Sequence, residues 1–250
     1  MRQLLLIILC CIPGLAPAVE QLEFKVTGRK PQDRSYFVQG LEIHDGQMYL
    51  SSGNYGQSRL VRYDFDSGQP NASRSLHPRL FAEGLTVLDG KVYQLTWRER
   101  IVLVYNQQDL KLLEYFRIPG EGWGMTNNGS DIIYSDGSDQ LHYLSRDSHS
   151  ITRSIKVTEN GKAVRQINEL EWIDGKIWAN IWRADRILII DPESGKVTAS
   201  IDLSGLLPDA ERRAGTDVLN GIARDSRGGD IWVTGKRWPW QYRIETVPSR

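Results

Sequence analysis

Residues able to do acid–base chemistry recur at related distances from short hairpin turns in this sequence. Pairs such as Asp89-Gly90 are strong hairpin signals. Positions equally far before and after a turn lie opposite each other, so a count of about seven residues each way reaches one end of each hairpin. The backward set is Gln39, Glu83, Trp123, Asn168 and Asn220, and the forward set is Asn54, Trp97, Asp136, Trp182 and Lys236.

Glu83 is the leading candidate for a general acid and base. Nearby indoles would desolvate its carboxyl group and raise its pKa, whereas the charge of Lys236 would lower that pKa. A carboxyl group tuned toward neutrality can carry a proton between two nitrogens, which typically accelerates a reaction ~10²–10⁴-fold. Lys236, the carboxamides or an indole N–H could hold a developing oxyanion. These groups favour acyl transfer at an amide, although any one of them also fits a residue that only caps a hairpin.

The hairpin units repeat along the chain, which indicates the elements that must position these residues. The turn glycines are separated by 44, 39, 46 and 54 residues, and they are Gly46, Gly90, Gly129, Gly175 and Gly229. Repeats of ~40–45 residues with about four short strands each are typical of β-propeller blades. The sequence therefore predicts an all-β, five-bladed β-propeller, with both residue sets around one mouth of the central channel.

Two segments outside the hairpins have predicted roles in this fold. Residues 22–26 alternate like a strand and are expected to complete the last blade, which would close the ring. Residues 206–213 are predicted to form a short helical insertion in the longest repeat interval. Because no linker interrupts the repeat, residues 19–250 are expected to form a single domain.

The N-terminal segment differs from the rest of the chain. Residues 1–18 have a short positive start, a mostly apolar run and a small-x-small end, which is the pattern of a secretory signal peptide cleaved after Ala18. Both cysteines, Cys10 and Cys11, lie in this segment, so the mature chain would contain no disulfide and no cysteine metal site. We therefore expect an exported protein, in a bacterial periplasm or secreted.

Charge and motif content exclude several classes. Basic and acidic residues balance at 31 each, so we expect no nucleic-acid partner and no membrane partner after signal cleavage. The sequence has no HExxH motif, no phosphate-binding glycine-rich loop and no Ser-His-Asp pattern. Its four histidines fall at unrelated offsets and are interpreted as surface or strand residues: His44, His77, His142 and His149. A structural divalent ion in the channel is compatible with the pattern, although two ring carboxylates are few ligands for one.

Nine ordered motifs resemble one known family. They are FVQGLE (37–42), EGLT (83–86), QLTW (94–97), EGWGMT (121–126), SDGS (135–138), NELEW (168–172), ANIWRADRI (179–187), VLNGIA (218–223) and VTGKRWP (233–239). Over residues 35–244 the chain closely resembles the plant and bacterial type of glutaminyl-peptide cyclotransferase, also called glutamine cyclotransferase.

The resemblance implies a fold, an activity and a set of site residues. It implies a five-bladed propeller that converts the N-terminal glutamine of peptides or proteins to pyroglutamate and releases ammonia, without a catalytic zinc. It implies Glu83 as the proton shuttle and Lys236 as a pocket residue, which we expect to be the second catalytic residue. The remaining pocket residues that it implies are Gln39, Trp97, Trp123, Asn168 and Trp182. We expect a monomer.

Two other functions remain open from the sequence. A metal-dependent, lactonase-like propeller hydrolase would need several carboxylate, Asn or His ligands on the channel axis, and a chelator would abolish its activity. A non-catalytic propeller that binds peptides or glycans would use the aromatic residues as platforms and would release no ammonia.

Overall fold

The structure of the chain is a computed structural model that describes residues 18–248. The predicted signal segment therefore lies outside the described residues, except for Ala18. Strands dominate the described part, so the all-β class is confirmed. The insertion predicted at residues 206–213 contains a single 3-10 turn, Asp209–Glu211. Between residues 18 and 248 no helix has the length and apolar character needed to cross a membrane.

The first part of the chain forms one long strand and then three four-stranded antiparallel sheets built from consecutive hairpins. The long strand is β1 (Glu20–Pro31). The first sheet contains β2 (Val38–His44), β3 (Gln47–Ser52), β4 (Arg59–Asp64) and β5 (Pro70–Ser75). The second contains β6 (Ala82–Leu88), β7 (Lys91–Thr96), β8 (Ile101–Asn106) and β9 (Leu112–Arg117). The third contains β10 (Met125–Asn127), β11 (Asp131–Ser135), β12 (Gln140–Ser145) and β13 (Ile151–Lys156).

The second part of the chain forms a two-stranded hairpin and an eight-stranded sheet. The hairpin pairs β14 (Thr158–Glu159) with β15 (Lys162–Ala163). The remaining strands are β16 (Ile167–Ile173), β17 (Lys176–Ile181), β18 (Arg186–Ile190), β19 (Val197–Asp202), β20 (Leu219–Arg224), β21 (Ile231–Gly235) and β22 (Trp240–Pro248). Their order in the sheet is β16-β17-β18-β19-β1-β22-β21-β20, so β1 joins two runs of hairpins.

Strand β1 ties the start of the described chain to its end. It pairs antiparallel with β22, with Leu22 opposite Pro248 and Pro31 opposite Trp240. It also pairs parallel with β19 through residues 20–22. The expectation that residues 22–26 complete the last run of strands is confirmed.

Local turn chemistry explains why the chain folds into these hairpins. At Asp45-Gly46 both residues have positive φ, 49° and 72°, and at Asp89-Gly90 the values are 50° and 72°. Two consecutive positive φ angles define the type I′ turn, whose twist matches that of the flanking strands and which favours Asp-Gly. In the first and second sheets, the first strand is therefore joined to the second by a tight turn.

The core lies between neighbouring sheets, and the first strands surround a common axis. Apolar clusters join each sheet to the next, and one joins Val38 and Leu41 of β2 to Ala223 and Trp232 near the end of the chain. Strand β2 contacts β6, β6 contacts β10, β10 contacts β16, β16 contacts β20, and β20 contacts β2. These five first strands therefore form a closed cycle.

Buried carboxylates connect the first strands across this axis. Glu42 Oε2 accepts hydrogen bonds from Thr86 Oγ1 at 2.7 Å and from the Val87 N–H at 3.0 Å. Glu169 accepts the backbone N–H groups of Leu41 and Ile222 at 3.2 and 2.9 Å. Such bonds satisfy strand N–H groups that have no ladder partner on the axis side. The sequence motifs gave no indication of this structural role.

Burial raises the pKa of these carboxyl groups, and we expect the stability of the protein to depend on that effect at Glu42. Its pKa rises from 4.5 to about 7 because burial penalises the charged form. A raised folded pKa means that stability present below pH 4.5 is lost as the pH rises toward 7. Glu42→Gln keeps an acceptor oxygen but cannot ionise. The free energy of unfolding of Glu42→Gln, minus that of the parent, should therefore increase by about 2–3 kcal/mol as the pH rises from 4.5 to 8.

Urea unfolding of both proteins across this pH range measures the difference directly. A difference in free energy of unfolding that stays constant from pH 4.5 to pH 8 would contradict a raised pKa at Glu42.

Candidate active site

Local irregularities in the first strands aim side chains at one end of the central axis. The strand registers shift at residues 38–40, 82–85, 167–170 and 219–222. Each shift contains one member of the backward set predicted from the turns. A β-bulge bends a strand and re-aims a side chain, and such bulges are common beside active sites. The count from the turn glycines therefore locates the bulges.

Two glycines allow the first strands to approach closely at this point. A Cβ atom on Gly84 would lie 2.5 Å from the Met125 nitrogen, and one on Gly124 would lie 1.9 Å from the Asn168 oxygen. No side chain fits at either position. The Gly84 N–H also donates to the Trp123 oxygen at 2.7 Å. This close approach brings the neighbours Glu83, Trp123 and Asn168 together around one opening.

These side chains enclose a pocket with a volume of about 250 Å³. The lining residues are Phe37, Gln39, Phe81, Glu83, Trp97, Trp123, Asn168, Trp182, Arg183, Asp217 and Lys236. All seven site residues expected from the sequence are in this lining. Ligand pockets for drug-sized molecules have about 300–1,000 Å³, so this one suits a single amino-acid side chain.

Three members of the predicted sets do not line the pocket. Asp136 Oδ2 is paired with His142 Nε2 at 3.1 Å. Asn220 Nδ2 donates to the Val38 oxygen at 3.0 Å. Asn54 lies at the corresponding strand end, but it is also outside the lining. Their distances in sequence from the turn glycines place these residues at the same end of the fold as the pocket. Contacts with other elements determine where their side chains lie.

Sequence reasoning missed four lining residues. Phe37 and Phe81 each lie two residues before a bulge residue, so the repeat carried a signal for both. Arg183 follows Trp182 directly, and its guanidinium lies 4.3 Å from the centroid of that indole. Asp217 follows no repeated spacing.

The carboxyl group of Glu83 is buried and has few partners. Its residue is 6 % exposed, and Gln39 Nε2 donates to its Oε1 at 3.1 Å. Burial raises the pKa of Glu83 well above 4.5, the positive charge of Lys236 opposes this rise, and the carboxylates of Glu121 and Glu99 add to it. A carboxyl group with a raised pKa can both accept and donate a proton near neutral pH.

Lys236 supplies a positive charge to the same pocket. It is 4 % exposed, and its Nζ lies 4.9 Å from the ring centroid of Phe37. Burial lowers its pKa, while the charges of Glu83 and Asp217 raise it. Within residues 18–248 its ammonium forms no ion pair, so its donors are available to a ligand.

The tryptophans form aromatic walls, but two of them cannot donate to a substrate. Trp97 Nε1 and Trp123 Nε1 donate to the same oxygen, Glu121 Oε2, at 2.7 and 3.0 Å. If an indole N–H holds the oxyanion, as the sequence allows, that indole is therefore neither Trp97 nor Trp123. Among the lining residues, Asn168, Trp182, Arg183 and Lys236 carry side-chain donors that form no hydrogen bond within residues 18–248.

No group of three or more His, Cys, Asp or Glu side chains is placed to hold a metal ion between residues 18 and 248. The histidines lie away from the pocket lining. His142 contacts Asp136 and Ser154, and the His149 ring stacks on Phe116 with the centroids 4.0 Å apart.

Comparison with known proteins gives consistent matches. A sequence model of the family described as glutamine cyclotransferase matches residues 4–246. A glutaminyl-peptide cyclotransferase from Arabidopsis thaliana is 35% identical over 230 residues, which cover 89% of this chain and 71% of that protein. The crystal structure of Myxococcus xanthus glutaminyl cyclase superposes with a TM-score of 0.85 at 31% identity, covering 93% of this chain and 100% of that one. The WD40 β-propeller domain of Doa1 matches at 12% identity with a TM-score of 0.53, covering 83% of this chain and 63% of that one, so the fold is propeller-like.

Proposed function

The chain belongs to the glutamine cyclotransferase family, and on that premise we propose that it is a glutaminyl-peptide cyclotransferase. It converts the N-terminal glutamine of peptides or proteins to pyroglutamate and releases ammonia. The observation that carries this proposal is the buried carboxyl group of Glu83, with a raised pKa, which shares a pocket with aromatic walls with the ammonium group of Lys236.

The reaction needs one proton to move between two nitrogens of the substrate. The α-amine nitrogen attacks the γ-carboxamide carbon of the same residue, so a C–N bond forms in the ring and the bond to the amide nitrogen breaks. The attacking nitrogen loses a proton and the departing nitrogen gains one, so that ammonia leaves. The reference pKa of an α-amine is ~7.7–8.0, so a useful fraction is already neutral at mildly alkaline pH.

Glu83 is the proposed shuttle for that proton. It takes the proton from the α-amine and gives it to the amide nitrogen, as its burial beside Lys236 allows. The Gln39 Oε1 atom is buried and lacks a hydrogen-bond partner among the described residues, so it can accept from a substrate N–H group.

Asn168, Lys236 and Trp182 are the proposed donors to the carboxamide oxygen as negative charge develops on it. Preorganised donors of this kind are worth several kcal/mol in other enzymes, about 2.7–4 kcal/mol each. The aromatic walls hold the aliphatic part of glutamine in a folded conformer, which places the amine near the carbonyl carbon.

The fold that supports this site is proposed to have five blades. The closed cycle of five first strands supports this count, with the eight-stranded sheet taken as two blades joined by β1. We further propose that residues 1–18 are a signal peptide, that residues 19–250 form one catalytic domain, and that the protein is exported, to a periplasm or outside the cell. It acts as a monomer on peptides and has no nucleic-acid or membrane partner.

Catalysis is proposed to need no cofactor. The reaction described above moves one proton and uses a nucleophile that the substrate supplies, and Glu83 and Lys236 provide the acid–base and electrostatic parts. A structural divalent ion in the central channel would be separate from this chemistry.

Ammonia release from a glutaminyl dipeptide, with and without chelator, tests the function. We expect ammonia and pyroglutamyl product in equal amounts, unaffected by chelator. Activity lost with chelator and restored by a divalent ion would favour a metal-dependent propeller hydrolase. Peptide binding without ammonia would favour a non-catalytic binding protein.

A further inference from the structure

One carboxylate outside the pocket lining holds two of its tryptophans. Glu121 Oε2 accepts the Nε1–H of Trp97 at 2.7 Å and the Nε1–H of Trp123 at 3.0 Å. Its other oxygen, Oε1, lies 3.5 Å from Arg98 Nε. Indole N–H groups that donate to a carboxylate form charge-assisted hydrogen bonds, which are stronger than neutral ones.

We propose that Glu121 is a positioning residue for the cyclisation: it fixes the Trp97 and Trp123 rings so that the pocket walls present carbon to the substrate. This inference rests on the proposed function and assigns a role to a residue that does not itself touch the substrate.

The two rings that Glu121 holds are the ones that set the shape of the aromatic walls. The Trp97 ring meets Phe81 edge-on, with centroids 5.5 Å apart, and the Trp123 ring meets Trp182 edge-on at 5.6 Å. Edge-to-face contacts depend on ring orientation. A rotation of either ring would therefore change the position of its neighbour in the pocket.

The rings are also supported on their outer sides. The Arg98 guanidinium lies 3.9 Å from the Trp97 ring centroid. A Cβ atom on Gly137 would lie 2.6 Å from Trp123 Cζ2, so the Trp123 ring packs directly against that glycine. With these sides closed, the hydrogen bonds to Glu121 select one orientation within a tightly packed site.

The orientation of the Trp97 and Trp123 rings decides which donors can bind the carboxamide oxygen of the substrate. Without Glu121, each indole N–H would lack its acceptor and would gain by turning toward a carbonyl oxygen in the pocket. That contact would hold the ground-state amide and draw it away from Asn168 and Lys236. Glu121 therefore reserves the carboxamide oxygen for the donors that stabilise the developing charge.

Glu121 also acts on Glu83 through its charge, and this effect must be separated from positioning. The negative charges of Glu121 and Glu99 both raise the pKa of Glu83. Glu99 contacts no indole N–H; its oxygens accept from Tyr55 Oη at 2.9 Å and from the Phe81 N–H at 3.3 Å. Glu99→Gln is therefore the matched control, because it removes the same charge and leaves the indole hydrogen bonds in place.

The test compares Glu121→Ala, Glu121→Gln and Glu99→Gln by two measurements. The first is the ¹H–¹⁵N spectrum of the eight tryptophan indoles. The second is the kinetics of ammonia release at the plateau of the pH profile. Glu121→Ala should shift two indole resonances, speed their hydrogen exchange, and lower kcat at least ~10-fold with a smaller change in KM. Glu121→Gln keeps an acceptor oxygen and should stay within ~3-fold of the parent, and Glu99→Gln should leave the indole resonances in place.

The outcomes separate this inference from the proposed function. Unchanged indole resonances in Glu121→Ala would overturn the inference, and so would shifted resonances with unchanged kcat. A parent protein that releases no ammonia would overturn the proposed function, while the indole spectrum would still decide whether Glu121 holds the rings. If Glu121→Ala does not fold, a cycle of Glu121→Met, which fills the same space without an acceptor oxygen, and Trp97→Phe decides: non-additive effects on kcat support the inference, and additive effects overturn it.

Discussion

Glu83→Gln should lower kcat for a glutaminyl dipeptide by at least ~100-fold and leave the protein folded. Glutamine has nearly the same shape as glutamate and can still accept the hydrogen bond from Gln39 Nε2, but it cannot carry a proton. Because burial disfavours the ionised form of Glu83, the neutral replacement should not reduce the melting temperature. Steady-state ammonia release and thermal unfolding of the variant measure both effects.

Glu42→Gln is the matched control for this variant. Glu42 is also a buried glutamate whose pKa is raised by burial, but it lies outside the lining of the candidate active site. We expect Glu42→Gln to keep kcat within ~2-fold of the parent. Near-normal turnover in Glu83→Gln would refute the shuttle role, and an equal loss in both variants would show that the effect is not specific to the pocket.

Lys236→Met should lower kcat ~10²–10³-fold and shift the pH dependence of kcat. Methionine preserves most of the aliphatic chain but removes the charge and the donors that we assign to the developing oxyanion, a loss of the size seen when other enzymes lose one such donor. The charge of Lys236 lowers the pKa of Glu83, so its removal raises that pKa further. Since Glu83 must be deprotonated to accept the amine proton, the acidic limb of the kcat profile should move to higher pH.

A pH profile of kcat for the parent and for Lys236→Met measures this shift. Lys30→Met is the control: Lys30 also has a pKa lowered by burial and lies 3.8 Å from the ring centroid of Phe65, but it is outside the candidate active site. Its kinetics should match those of the parent. An increase in KM alone for Lys236→Met, with an unmoved acidic limb, would reassign the lysine to substrate binding.

The sequence predicted the candidate site well because its position depends on local chemistry that repeats. The turn glycines mark where each hairpin reverses direction, and the strand length then fixes where its open end lies. Glu83 and Lys236 are far apart in sequence, yet both could be placed at the same end of the fold by this count. The alternation of residues 22–26 also predicts a strand. Closure of the ring then predicts that this strand pairs with the last strands of the chain, as it does with β22.

The parts that the sequence did not predict depend on contacts between different elements. Asp136 has the right offset, but it pairs with His142 on the neighbouring strand. Glu121 does not lie at one of the repeated distances from a turn glycine. Only the hydrogen bonds that it accepts from two indole N–H groups indicate a role for it. The parallel pairing of β1 with β19 also could not be predicted, because alternation within one strand does not specify its second neighbour.

The most direct test of the account is a crystal structure of Glu83→Gln with a glutaminyl dipeptide bound. We predict that the terminal glutamine occupies the pocket between Trp97, Trp123 and Trp182, with its α-amine nitrogen ~3–3.5 Å from its own γ-carboxamide carbon. The amine should lie within hydrogen-bond reach of residue 83, and the carboxamide oxygen should face Lys236 or Asn168. A glutamine bound in an extended conformation, or a peptide bound away from this pocket, would contradict the proposal.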